Sequence, residues 1–289
     1  AMNFRVPVVL LTALTLLATS CAGSSRELQY HYVRSDRMGG ARLSYSVWVP
    51  PDFREDERLP LITFLHGGGD DPATFDDHGL PAEFREASAR GELPRAVIFF
   101  PQGDNGFWAN WHDGSRLYQD WIVNELIPEV QRRYHTLPCP TGCHVMGVSM
   151  GGYGSLRLAM DKPGRFASLT AISAPIFDTA QMMEFANDRM TSLFIPVHRV
   201  WGPADEREIQ QRDPFRVWRT TSDLNGTRLA LRWGSEDREG IKDTNERLHE
   251  HLVQHRIPHT ASEYVGNHSW RSWSPVIREA LREQLAATE

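Results

Sequence analysis

The sequence predicts an α/β fold: eight strands in one mostly parallel sheet, with helices on both faces. Three observations predict it. Short apolar runs alternate with stretches of helical period, the order that yields a parallel sheet covered on both sides. One run gives way to a helix through Gly147-Val148-Ser149-Met150-Gly151, a serine held between glycines. An earlier run ends in His66-Gly67-Gly68-Gly69, a second glycine-rich turn.

The elements follow in order. Residues 27–34 and 42–49 read as an opening antiparallel pair, the second alternating Leu43, Tyr45, Val47 and Val49 with smaller or polar partners until Pro50-Pro51. Residues 59–65 form a buried strand leading into His66. A short helix over 82–90 and an apolar strand over 96–100 come next. Residues 118–134 carry Ile122, Leu126, Val130 and Tyr134 at i+4, the clearest helical period in the chain, with Pro128 predicting a kink or break. The short run around Val145 is the fifth strand and feeds the serine turn. Residues 155–160 have helical composition, and 166–172 form the sixth strand. Residues 175–223 show no strand pattern and read either as a helical insertion over the site or as a long crossover. Strands over 228–233 and 260–264 and helices over 244–255 and 273–286 close the chain.

The 289 residues fit one α/β domain over 27–289, with 175–223 as its cap insertion. Hydrophobic content of 40 % and charged content of 24 % are those of a globular protein. A net charge of −6 leaves no electrostatic footprint for nucleic acid. Residues 1–22 have the form of an export signal: Asn3-Phe4-Arg5 as the basic start, then an apolar run from Val6 to Ala18 too short to span a membrane comfortably. Ala18-Thr19-Ser20-Cys21 resembles a bacterial lipobox with Cys21 as the lipidated residue; ordinary cleavage near Ala22 is the alternative. Export predicts an oxidising compartment, where Cys139 and Cys143, four positions apart, form a disulfide at the entrance of the fifth strand.

A serine hydroxyl is a weak nucleophile at neutral pH. Its site must expose it, supply a base, and surround the attacked carbonyl oxygen with donors. Three fixed positions of G-x-S-x-G recur by chance in about one chain in ten of this length, so the motif needs partners. The strand order and serine turn resemble the α/β-hydrolase fold, in which a triad runs serine, acid, histidine with the last two on loops after late strands; that resemblance implies Asp237, after the seventh strand, as the acid and His268, after the eighth, as the histidine. His268 would take the serine proton, and Asp237 would hold the imidazole. Glu236 and Asp243 are rival acids. The Met150 N–H, at the start of the following helix, is one oxyanion donor; Gly68 is the second, with Gly67 and Gly69 as alternates, and His66 reads as a structural hydrogen-bonding residue beneath that loop.

This order of strands and motifs resembles the α/β-hydrolase fold, and within it the esterase D group of S-formylglutathione hydrolases, feruloyl and acetylxylan esterases and mycolyltransferases. The resemblance covers residues 42–286. It rests on Leu65 to Asp70 for an early L-H-G loop, Glu125-Leu126-Ile127-Pro128 for an E-L-I-P helix, and Gly147 to Gly154 for a G-x-S-M-G-G-Y-G elbow. Gly234 to Asp237 matches a G-x-x-D acid loop, and Gly266-Asn267-His268-Ser269-Trp270 with Trp273 a G-G-H-x-W-x-x-W close, in which Asn267 replaces the second glycine. It implies a serine ester hydrolase working through an acyl-enzyme on a small-molecule ester, with no metal and no organic cofactor. The alternatives are acyl transfer to a sugar hydroxyl and a non-catalytic envelope lipoprotein, touching the membrane only through its lipid.

Trp108 and Trp111, after the fourth strand, and Trp270 are candidates for an aromatic substrate wall. Asp70, Asp71, Asp76 and Asp77 read as a solvated acidic loop rather than a calcium site. His249, His251, His255 and His259 read as an exposed face, because Leu252 stands where a zinc-protease glutamate would be needed.

Overall fold

The computed structural model describes residues 27–188, 195–202 and 205–286; the proposed signal, with Cys21, lies outside them. A single sheet of eight strands runs β1-β2-β4-β3-β5-β6-β7-β8, where β1 is Gln29–Ser35, β2 Ala41–Trp48, β3 Leu61–Leu65, β4 Val97–Pro101, β5 Cys143–Val148, β6 Ser168–Ile172, β7 Arg228–Glu236 and β8 His259–Asn267. β1 pairs with β2, and β2 with β4, antiparallel; every later pairing is parallel. β3 to β6 are buried along their whole length, as uninterrupted apolar runs require when helices cover both faces. On β5, Val145 packs into a core with Trp121, Leu156 and Leu231, while Met146 and Val148 face the other core with Phe64, Phe100 and Ile277. β8 is an edge strand and alternates half-buried with exposed positions.

The predicted break near Pro128 takes the form of a π turn over Ile122–Leu126, in which the Ile127 N–H reaches the Ile122 carbonyl. Widening the ladder just before a residue without an N–H lets the helix continue through Ile127–Tyr134. Helix Glu239–Gln254 begins five residues before its predicted start, directly after the acid loop. Cys139 and Cys143 are joined as a disulfide with Cα atoms 4.9 Å apart. Between β6 and β7 lie short helices, Thr179–Asn187, Val197–Trp201, Glu206–Gln210 and Pro214–Val217, with a 3-10 turn at Thr221–Leu224. From this segment Phe177 and Phe185 reach the carboxyl ends of the strands beside Ser149, where open α/β sheets bind ligands.

Candidate active site

Ser149 occupies a sharp turn between β5 and helix Met150–Asp161, with φ 53° and ψ −122°. For a side-chain-bearing residue this is a costly conformation, sustained only where the surroundings fix it. They do so by backbone contact. A Cβ on Gly147 would come within 2.2 Å of the Gly151 carbonyl oxygen, and one on Gly151 within 1.9 Å of the Leu65 carbonyl oxygen. Glycine is therefore required at both places for the helix to press against the end of β3 and lift the serine above the sheet. The Ser149 N–H is tied to the Ile172 carbonyl at 2.8 Å.

From the loops after β7 and β8, two side chains meet the serine. His268 Nε2 lies 2.8 Å from Ser149 Oγ, and His268 Nδ1 2.7 Å from Asp237 Oδ1. The carboxylate can only accept at Nδ1, which leaves the Nε2 lone pair for the hydroxyl proton. Of the rival acids, Glu236 and Asp243 are exposed, and neither makes a hydrogen bond to His268. Burial pushes the Asp237 pKa up, but hydrogen bonds from His268, Ser173 and the Arg238 N–H outweigh it, and the net shift is downward. The acid is thus ionised at neutral pH. Asn267, which replaces a glycine of the closing motif, accepts the hydroxyls of Ser269 and Ser272 and steadies the start of helix Trp270–Ala286.

Two backbone donors remain free beside the serine. In the loop after β3, the Gly67 N–H donates to Asp70 and the Gly69 N–H to Asn105, whereas the Gly68 N–H has no acceptor among the described residues. The Met150 N–H belongs to the first turn of its helix, where no carbonyl is available within the helix. Both residues line the same cavity as Ser149 and His268.

His66 carries the Gly68 loop. Its Nδ1–H donates to the Gly67 carbonyl at 2.8 Å, and its Nε2 accepts the Gly103 N–H at 3.0 Å, so both partners demand the neutral ring. Burial pushes its pKa down to about 4, and that of His144, also fully buried, to about 4. Each ring binds a proton more readily once unfolded. The stability they confer is complete above pH 6.5 and is lost as pH falls from 6.5 toward 4. Denaturant unfolding at pH 5 should therefore give a free energy lower than at pH 7.5 by about 2 kcal/mol per histidine; an unchanged value would contradict this reading of both rings.

The cavity over Ser149 measures about 690 Å³, and a second chamber of about 480 Å³ shares Pro175, Phe177, Phe185, Arg238 and Ile241 with it. Of the three candidate tryptophans, only Trp270 lines this space, stacked on His78 at 5.0 Å. Trp108, expected from the sequence in the substrate wall, is instead fully buried. Its own positive φ of 57° and that of Phe107 turn the indole into the core, where it fills room left by Gly103 and Gly154 and donates to the His66 carbonyl at 3.2 Å. Trp111 packs on Tyr118 under the Arg199 guanidinium, away from the cavity. Phe107, Phe177 and Phe185 supply the aromatic wall instead, and the last two come from the segment whose sequence has no readable period. The histidines read as an exposed face are half-buried and bonded: His249 to His259 at 2.8 Å, His251 to the Trp218 carbonyl. In the acidic loop, Asp70 holds the Gly67 N–H and Asp76 accepts the Tyr30 hydroxyl. Among the described residues, no three metal-ligating side chains come together.

A family model described as putative esterase matches residues 35–284. Esterase Rv1288 of Mycobacterium tuberculosis (strain ATCC 25618 / H37Rv) is 27 % identical over 247 residues, 78 % of this chain and 52 % of that protein, so the chain spans about half the length of this curated relative. Among solved structures, a ferulic acid esterase superposes with a TM-score of 0.71 at 18 % identity, covering 91 % of this chain and 98 % of the other. The S-formylglutathione hydrolase of Staphylococcus aureus superposes with 0.69 at 20 % identity, covering 89 % and 98 %. These likenesses show the α/β-hydrolase fold.

Proposed function

The chain belongs to the putative esterase family, and on that premise we propose that it is an exported serine carboxylesterase acting on short-chain or aromatic acyl esters, including those carried on carbohydrate. The observation that supports this reading is the hydrogen-bonded series Ser149, His268, Asp237 at the floor of a cavity with two free N–H groups. As Ser149 Oγ bonds to the ester carbonyl carbon, His268 Nε2 takes its proton, and the carbonyl oxygen becomes an oxyanion facing the N–H groups of Met150 and Gly68. Asp237 stabilises the imidazolium in its required orientation. The imidazolium then protonates the leaving alkoxide as the C–O bond breaks, the alcohol departs, and an acyl-Ser149 remains. Water repeats the sequence to release the acid.

The apolar lining of Phe107, Phe177, Phe185 and Ile241 suits the acyl group, and Trp270 in the same lining suits contact with an aryl or sugar ring. Residues 1–22 would carry the protein across the inner membrane, and lipidation of Cys21 would leave it on the periplasmic side or outer surface. The experiment is a hydrolysis profile over acyl chain lengths, with a feruloyl ester included, run with and without sugar acceptors. Free acid as the main product in both conditions is expected. Predominant acylation of the sugar would make the protein an acyltransferase. Absence of turnover together with absence of fluorophosphonate labelling of Ser149 would leave a binding lipoprotein.

A further inference from the structure

Behind Asp237 lies a hydroxyl that the catalytic steps above do not use. Ser173 follows the last residue of β6, is fully buried, and has φ 50°. That conformation suits glycine or asparagine far better than serine, so the side chain is held there at a conformational cost. Its Oγ lies 2.5 Å from Asp237 Oδ2, 2.6 Å from the Tyr264 hydroxyl and 3.1 Å from Trp273 Nε1.

The direction of each bond follows from elimination. An indole N–H can only donate, so Trp273 occupies one lone pair of Oγ. An ionised carboxylate can only accept, so the single Ser173 proton points at Asp237. The Tyr264 hydroxyl must then donate to the other lone pair. Ser173 is saturated: one proton given, two received. Each donor polarises the O–H that faces the carboxylate, as in any chain of hydrogen bonds in a poorly solvated site. The same indole packs edge-on against the His268 ring, with centroids 4.9 Å apart, so one side chain touches both the histidine and the serine behind the acid.

Given the reading of Asp237 as the triad acid, we propose that Ser173 is a positioning residue for the reaction: it fixes which carboxylate oxygen faces His268, and Tyr264 acts on Asp237 only through it. Without Ser173, the Oδ2 oxygen keeps one weaker backbone contact, from the Gly234 N–H at 3.3 Å, and the carboxylate can turn.

The test uses the full chain and steady-state ester hydrolysis. Ser173→Gly relieves the backbone strain but leaves the Tyr264 hydroxyl and the Trp273 N–H without their acceptor, so a lowered melting temperature is expected with the fold retained, while kcat falls about 30-fold with KM unchanged. Losing a donor leaves more charge on Asp237 for the imidazolium, so the acidic limb of the kcat/KM profile should move to higher pH. Tyr264→Phe should lower kcat about threefold, and the double variant should match Ser173→Gly alone. Wild-type turnover in Ser173→Gly, or single effects that multiply in the double variant, would overturn the proposal. If Ser173→Gly does not fold, the outcome rests on Tyr264→Phe: no fall in kcat and no movement of the acidic limb would likewise overturn it. Ser149→Ala run in parallel separates the two levels. Loss of activity there with normal Ser173→Gly rejects only the role of Ser173, whereas an active Ser149→Ala rejects the site itself.

Discussion

Ser149→Ala and His268→Ala should each lower kcat/KM by about 10⁵-fold or more, because nucleophile and base act as a unit and either loss removes the covalent route. The variants should remain folded. The turn at Ser149 is fixed by Gly147 and Gly151 against the backbone of β3, and the serine side chain contributes none of that contact. His268→Ala opens space at the edge of Trp273, so a small fall in melting temperature is expected there and none for Ser149→Ala. The measurement is ester hydrolysis beside covalent labelling by a fluorophosphonate, which Ser149→Ala should abolish. Turnover near wild type in either variant would move the chemistry elsewhere.

Asp237→Asn should lower kcat by about 10⁴-fold, since an amide facing Nδ1 permits the wrong imidazole tautomer and gives the imidazolium no counter-charge. Asp243→Asn should change little, because Asp243 is exposed on helix Glu239–Gln254 with no bond to His268. The contrast decides between carboxylates that stand six residues apart. A severe Asp243 variant with a mild Asp237 variant would reassign the acid.

Much of this was legible because the relevant signals are local and repeated. The eight strands are continuous or alternating apolar runs, and Ser149, Asp237 and His268 each follow a strand that the pattern identifies. Boundaries drifted where no side chain marks them, as at Glu239, where the helix starts on the residues that hold the acid loop. The segment over 175–223 resisted reading for a physical reason: helices of four to nine residues complete too few turns for a period to emerge. Trp108 misled because residue type says nothing of direction. A left-handed backbone at Phe107 and Trp108 exchanges which aromatic ring enters the cavity and which enters the core. Ser173 was missed because its role depends on groups from β7, β8 and the last helix converging on one oxygen, although its place at the carboxyl end of a strand is where such roles concentrate.

The proposed site also draws on the carboxyl ends of five strands: β3 for the Gly68 loop, β5 for Ser149, β6 for Ser173, β7 for Asp237 and β8 for His268. Gly68 and His268 stand 200 positions apart in the sequence, and the histidine follows the edge strand, which among the described residues pairs only with β7. Contacts so distant in sequence are slow to form, because loop closure must precede them. During refolding, recovery of hydrolysis should therefore trail recovery of helical circular dichroism. For this architecture, enzymatic activity is a clock for the completion of the sheet.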